Sequence, residues 1–150
     1  MKDILYEIGT IARALDSISN MEFKEQSLTK GQYLYVVRIY EHPGIILENL
    51  ADMLKVDKTT ASRAVQKLEE KGIIERKMQT NNKKNKQLYV TEKGAALYVF
   101  VMKEHQYSAQ VALQQFTEDE THQLLALLQK VRLNIEHDWE FVKKGGKRQY

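Results

Sequence analysis

The sequence predicts a mainly α-helical protein with one small β-hairpin, and three observations support this fold class. Apolar residues recur at spacings of three and four along much of the chain of 150 residues, which is typical of amphipathic helices. Two short segments that look like strands, 73–78 (IIERKM) and 87–90 (QLYV), flank the polar segment QTNNKKNK, as strands flank the turn of a hairpin. The only proline, Pro43, requires the helical pattern before it to end.

The first two helices are predicted from their apolar stripes and end signals. The second should end near Glu41, and its start has the pattern of a capping box, with Thr29 as the cap and Gln32 three residues later. The first should cover about residues 3–20, because its apolar residues repeat at helical spacing: Ile4, Ile8, Ile11, Leu15 and Ile18.

Residues 47–71 predict two short helices joined by a turn at Lys55–Asp57. Asp57 is a favoured cap for the second helix, and Gly72 suits the left-handed residue that ends it. The first of the two helices begins poorly, because Ile46 or Ile45 stands where Ser or Asp is expected, at a cost of about 1 kcal/mol. The residues predicted to face the core are Leu47, Leu50, Ala51, Leu54, Ala61, Ala64, Val65 and Leu68.

The remainder of the chain predicts a hairpin at about 73–90 and helices within about 91–143. Segment 79–86 has no apolar residue and is expected to be the exposed tip. Thr91 should cap the first of these helices, and Thr117 with Glu120 forms a capping box for the last. The basic tail, 145–150, is predicted to be disordered. The whole is interpreted as one domain, 1–144, followed by this tail.

Charge is distributed unevenly along the chain. The net charge is +3, yet residues 55–87 hold ten Lys and Arg against four acidic residues, so this segment has +6 and the remainder −3. A basic block on an acidic body is typical of nucleic-acid-binding modules.

Several functional classes are excluded or disfavoured by the sequence. The chain has no cysteine, so disulfides, thiolate metal sites and cysteine-based redox sensing are excluded. No signal peptide or membrane-spanning run is present, and we therefore expect a cytoplasmic protein. The four histidines lack metal-ligand spacing, and no nucleophile elbow, phosphate loop or dinucleotide fingerprint occurs. We predict no catalytic residues, no metal, no cofactor and no enzyme activity.

The helix that begins after Asp57 has polar side chains on the side opposite its apolar residues, where they can reach base edges and phosphates in a major groove. Arg63 is the best candidate for a base contact and Gln66 the second, whereas lysines of the hairpin should contact the backbone. Arg76 could serve DNA or a structural ion pair. The predicted DNA-binding residues are Lys58, Thr59, Thr60, Ser62, Arg63, Gln66, Lys83, Lys84 and Lys86.

The order of these elements closely resembles the MarR family of bacterial transcription regulators. The matching segments are 28–33 (LTKGQY), Pro43-Gly44, Leu50-Ala51, 57–63 (DKTTASR), 68–76 (LEEKGIIER) and 88–94 (LYVTEKG). The resemblance implies a winged helix-turn-helix with N- and C-terminal dimerisation helices, at about 3–20 and 91–143. It also implies a homodimer on a pseudo-palindromic operator in double-stranded DNA, usually as a repressor released by a small aromatic or lipophilic effector.

Two features leave alternatives open. The family's hairpin usually has an Asp-x-Arg pair, and the aligned positions here are Asn82 and Lys84, which predicts weaker or more salt-dependent binding by the hairpin. Tyr33, Tyr40 and Tyr98 fall on helices that line the family's effector cavity, or belong to the core. The competing function is a nonspecific DNA-coating or protein-contact module, which equal affinity for all duplexes would indicate.

Overall fold

The computed structural model describes residues 2–28, 30–79 and 82–150, and describes side chains for residues 3–28, 30–78 and 86–150. It confirms the predicted class, mainly helical with a small antiparallel sheet. The chain divides into two compact units, Met1–Ser108 and Ala109–Tyr150. The elements are α1 (Lys2–Glu22), α2 (Gln32–Glu41), β1 (Ile45–Ile46), α3 (Leu47–Leu54), α4 (Lys58–Glu70), β2 (Ile74–Gln79), β3 (Asn82–Val90), α5 (Glu92–Ala112) and α6 (Glu118–Lys143).

The first unit is built around one apolar core beneath a three-stranded antiparallel sheet. The strand order is β1-β3-β2, so β3 is central and Leu88 lies opposite both Ile45 and Arg76. Side chains of α2, α3, α4, the sheet and α5 contribute to the core. Its largest fully buried members are Phe23, Leu28, Val36, Ile39, Leu50, Val65, Leu68, Ile73, Ile74, Leu88 and Val101.

The uncapped start of α3 has an explanation in the sheet. Ile46 occupies the N-cap position with extended backbone and no side-chain cap, as expected. The same residue belongs to β1, where it lies opposite Gln87 of β3. The strand pairing therefore fixes the chain entering α3, a function that a capping side chain would otherwise serve.

Two predicted boundaries are wrong. Strand β3 begins at Asn82, whereas segment 79–86 was predicted to be a loop; pairing along the hairpin, as at Met78 with Lys86, extends the strand through polar residues. Helix α2 begins at Gln32 after Gly31, which has a φ of 75° and no side-chain cap. Thr29, the predicted cap, lies outside the described residues.

A close approach between Ile73, the residue before β2, and the start of α5 requires glycine at Gly94. A Cβ atom added there would lie 2.3 Å from the carbonyl oxygen of Ile73. Thr91, the residue before α5, accepts a hydrogen bond from the Gly94 N–H at 3.2 Å through its hydroxyl oxygen. It therefore caps α5 as predicted. These contacts hold the start of α5 against the strand that leaves the helix-turn-helix.

The second unit contains the last residues of α5 and all of α6. Thr117 and Glu120 form the predicted capping box, with reciprocal hydrogen bonds of 2.9 and 3.1 Å. Helix α6 has 26 residues, and none of them is buried. In the tail, the Nε of Arg148 lies 3.1 Å from a carboxylate oxygen of Asp138.

Candidate nucleic-acid interface

Helix α4 packs against the core of the first unit along its whole length. Ala61, Val65 and Leu68 are fully buried. At its start, the carboxylate of Asp57 accepts hydrogen bonds of 2.7 Å from both the N–H and the hydroxyl of Thr60. These bonds stabilise the ionised carboxylate and lower the pKa of Asp57. The confirmed cap prevents the first turn from fraying.

The end of α4 is closed by the predicted glycine motif. Gly72 has a φ of 72°, and the N–H of Ile73 donates to the carbonyl of Leu68 at 2.9 Å, as in a Schellman motif. Lys71 connects this end to the neighbouring α2, because its ammonium donates to the side-chain oxygen of Gln32 at 2.9 Å. Burial lowers the pKa of Lys71, and Lys67 and Lys93 nearby lower it further. Both ends of α4 are thus held.

The side chains predicted to contact DNA lie mostly on the solvent side of α4. Thr59, Arg63 and Gln66 are exposed and follow helical spacing on the face opposite the buried residues. Ser62 is half-buried, whereas Lys58, the first residue of the helix, is exposed. The exposed Thr60 uses its hydroxyl hydrogen in the bond to Asp57. Gln66 donates to Glu70 at 3.4 Å, a contact at the long end of hydrogen bonding.

The hairpin formed by β2 and β3 lies beside α4. Lys86 is exposed and lies opposite Met78 in the register. Lys77 points to the other face of β2, where its ammonium lies 4.9 Å from the centre of the Tyr89 ring. The side chains of Asn82, Lys83 and Lys84, which include two predicted DNA contacts, lie outside the described residues.

Of the two roles expected for Arg76, a DNA contact or a structural ion pair, the ion pair is present. Its Nε lies 3.2 Å from a carboxylate oxygen of Glu69 on α4. The same side chain lines a cleft of about 230 Å³ together with Lys58 and Lys86. The apolar residues Ile46, Leu47 and Leu88 and the carboxylate of Glu48 complete the lining. The alternation of side chains along β2 and β3 could have indicated that Arg76 and Lys86 lie on one face of the sheet. It could not have indicated that this face lies close to Lys58.

A second cluster of aromatic and polar side chains joins α1, α2 and α5. The Tyr33 hydroxyl donates to Asp16 at 2.8 Å, and burial is the main cause that raises the pKa of Tyr33 to about 12. The ring of Tyr33 lies 5.4 Å from Phe23 and 5.7 Å from His105. This tyrosine is therefore a core residue. Tyr40 and Tyr98 stack on each other at 3.8 Å.

Within the described part of the chain, no group of three or more potential ligands could hold a metal ion. The same residues include no helix that is long and apolar enough to span a bilayer.

Comparison with known proteins places this geometry in a family. The model of the MarR family matches residues 28–86, from the segment before α2 to the middle of β3. A relative from Bacillus subtilis, the uncharacterized HTH-type transcriptional regulator YybA, is 59% identical over the full length of both chains. The chain belongs to the MarR family. The resemblance found in the sequence is thereby confirmed.

Solved structures of MarR-family proteins agree with this assignment. A MarR-family transcriptional regulator from Listeria monocytogenes, crystallised with 26mer DNA, is 59% identical to this chain; the alignment covers both chains completely, with a TM-score of 0.97.

A second relative is known by sequence: the HTH-type transcriptional regulator BilQ of Clostridium symbiosum is 31% identical over 73% of this chain and 76% of its own length. This MarR-family chain is a DNA-binding transcription regulator and not an enzyme.

Proposed function

We propose that this MarR-family regulator binds one operator sequence as a homodimer and represses transcription until a small molecule releases it. The observation that supports sequence-specific binding is the exposed guanidinium of Arg63 on the outer face of a helix held at both ends. Among the described residues, Arg63 forms no ion pair with a carboxylate. A guanidinium in that state is available for the two acceptors of guanine in the major groove.

The other predicted contacts are assigned by the chemistry of their side chains. Gln66 and Thr59 share the outer face with Arg63 and are proposed to contact bases or the neighbouring backbone. Ser62 and Thr60 keep oxygens that can accept or share hydrogen bonds near the start of the helix. The lysines are proposed to neutralise phosphates, and this group comprises Lys58, Lys83, Lys84 and Lys86.

The proposed homodimer is supported by apolar surface on the helical arms. In α1, Ile4, Leu5 and Ile11 are each more than half exposed. In α6, the exposed apolar residues recur along the helix: Leu125, Leu127, Leu128, Val131, Leu133, Ile135, Phe141 and Val142. A monomer rarely leaves such stripes in water, because covering them removes apolar area from solvent. A second copy of the chain is the partner that the family resemblance implies.

Modulation by an effector and action in the cytoplasm complete the proposal. Family membership supports a small aromatic or lipophilic effector, and DNA in bacteria lies in the cytoplasm. Cysteine oxidation is not a route for control here, because the chain contains no cysteine. A panel of aromatic acids, phenols and lipophilic cations added to a preformed protein–DNA complex should identify a class that lowers DNA affinity.

The deciding experiment is selection of bound fragments from genomic DNA, followed by fluorescence anisotropy with the selected duplex. We expect affinity at least about a thousandfold above that for a scrambled duplex at moderate salt. Arg63→Ala should cost about 1–3 kcal/mol on the operator and relax base preference within each half-site. Lys67→Ala removes a cation from the same helix and should leave the preference unchanged. Equal affinity of the wild type for every duplex would instead identify a nonspecific binder.

A further inference from the structure

The cleft between α4 and the hairpin gathers cationic side chains from three elements. Lys58 is the first residue of α4, Arg76 lies on β2 and Lys86 on β3, and all three line a space of about 230 Å³. Ile46, Leu47 and Leu88 form its apolar part, and Glu48 is the one carboxylate among the described residues that line it. The lining of the cleft thus has a net charge of +2 at neutral pH.

Backbone pairing places two of these cations side by side. Arg76 lies opposite Leu88, and Lys86 is two residues before Leu88 on the same strand. Because side chains alternate between the faces of a sheet, Arg76 and Lys86 are diagonal neighbours on one face, about 7–8 Å apart at the backbone. Lys77, adjacent to Arg76 in the chain, lies on the other face over Tyr89.

Three like charges around one small space repel one another unless an anion lies between them. Glu69 offsets part of the charge, since it pairs with the Nε edge of Arg76 at 3.2 Å. Among the described residues the Nε of Arg76 is buried without a hydrogen-bond partner, and the guanidinium has further donors beyond Nε. At the start of α4, the backbone N–H of Thr60 is already bonded to the Asp57 carboxylate, so the cationic side chains carry the attraction for an anion in this cleft. The combination is suited to a tetrahedral oxyanion.

We propose that one phosphate of the DNA backbone occupies this cleft and is contacted by Arg76, Lys58 and Lys86 together. This inference rests on the proposed DNA interface and adds Arg76 to it as a positioning residue. A duplex that meets the exposed Thr59 and Arg63 of α4 and also the hairpin must pass its backbone over the junction between them. That geometry favours a backbone phosphodiester over free phosphate as the occupant.

A shared phosphate would couple the hairpin to the recognition helix. Contacts to phosphate set the register and orientation of a protein on the duplex without reading its sequence. Because the three cations belong to α4, β2 and β3, a single phosphate between them would fix the two DNA-facing elements relative to one another. Loss of Arg76 should accordingly lower affinity for operator and random duplex by the same factor.

The test compares salt dependence of DNA binding for double variants of the full chain. Each neutralised phosphate contributes about 0.9 to the slope of log affinity against log salt. Lys58→Gln/Lys86→Gln and Arg76→Gln/Lys86→Gln should each reduce the slope by no more than about 0.9 per protomer, because both cations serve one phosphate. The probe is a random-sequence duplex of the length of the 26mer bound by the Listeria relative, so the result does not depend on knowing the operator.

Matched controls separate this contact from charge loss and from misfolding. Lys77→Gln/Lys103→Gln removes two charges elsewhere and should reduce the slope clearly less than the cleft variants. The variant Lys58→Gln/Lys86→Gln leaves the Arg76–Glu69 ion pair intact, and Arg76→Lys keeps the charge and should retain the slope. Thermal melting of every variant reports whether it is folded.

Two results would overturn the proposal. A slope loss near 1.8 per protomer would mean that the cations contact separate phosphates. A loss for Arg76→Gln/Lys86→Gln no greater than that of Lys77→Gln/Lys103→Gln would mean that Arg76 serves only its ion pair with Glu69. Either result leaves sequence-specific binding intact if the wild type still prefers its operator, so the two proposals fail separately.

Discussion

Helices α4 and α6 both have an apolar stripe, but only one stripe is buried within the chain. In α4, Ala61, Val65 and Leu68 are fully buried against neighbouring elements. In α6, none of the 26 residues is buried, and Leu128 is still 44% exposed. Amphipathic periodicity thus indicates that one face of a helix will be covered. It does not indicate whether the covering element belongs to the same chain or to another. The first unit has its own core, and α6 is proposed to need a partner chain.

The largest effect is expected from a charge placed in the stripe of α6. If two copies pack through this stripe, Leu128→Asp introduces an unpaired buried carboxylate from each copy. Each uncompensated buried charge costs about 3–5 kcal/mol, so with one charge from each copy dimer affinity should fall by roughly four orders of magnitude or more. Light scattering over a range of protein concentrations measures the change. As a control, Gln129→Asp at the adjacent exposed residue adds the same charge and should leave the mass unchanged. A Leu128→Asp protein with the mass of the wild type would contradict an interface through this stripe.

A smaller effect is expected from a cavity on the buried side of α4. Leu68 is fully buried, so Leu68→Ala should lower the free energy of unfolding by about 2–5 kcal/mol. Gln66→Ala, two residues away on the exposed face, should change it by less than about 0.5 kcal/mol. Urea denaturation at one fixed protein concentration measures both. Equal losses would show that the two faces of α4 are not distinguished by burial.

The junction between α1 and α2 should respond more weakly. Tyr33→Phe removes the hydrogen bond to Asp16 and should cost about 0.5–1.5 kcal/mol. Because burial raises the pKa of Tyr33 from 10.0 to about 12, its contribution should be complete below pH 10.0 and be lost as pH rises towards 12. The difference in unfolding free energy between wild type and variant, measured against pH, tests this. Tyr6→Phe, at an exposed tyrosine, should show no such loss.

The smallest effect is expected at the cap of α4. The pKa of Asp57 is lowered from 3.8 by hydrogen bonds from Thr60, so its contribution to stability is present above that pH and is lost as pH falls through the folded-state pKa. Asp57→Asn keeps a capping oxygen and should retain most of the melting temperature at neutral pH while removing this acid sensitivity. Asp57→Ala should lower the melting temperature at neutral pH as well. Identical acid profiles for wild type and Asp57→Asn would contradict the assignment.

Local signals in the sequence located both ends of α4 and the start of α6, because each depends on residues within one turn. Asp57, Gly72 and the Thr117–Glu120 box all form the predicted contacts. The start of β3 was missed because residues 82–86 are polar, and it is pairing with β2 that makes them a strand. The start of α3 lacks a local signal because it is fixed by the pairing of β1 with β3. Strand pairing involves distant residues, which composition and periodicity do not report.

In the candidate interface, too, some features follow from the local sequence and others only from tertiary packing. The exposed side of α4, with Thr59, Arg63 and Gln66, follows from helical spacing once the buried side is known. The role of Arg76 stayed open, because Glu69 and Lys58 approach it only through the packing of α4 against the hairpin. The hydrogen bond between Tyr33 and Asp16 likewise joins residues 17 positions apart.

By itself, the sequence determined the helices, the caps of α4, α5 and α6, the outward face of α4 and the family, since these follow from spacing and residue type within short windows. The tertiary structure alone decided which cations share a cleft, how the uncapped α3 is anchored and which apolar stripes stay uncovered. The reason is physical. Propensity and capping act between neighbours along the chain, whereas burial and charge convergence are set by distances between segments that only the folded chain brings together.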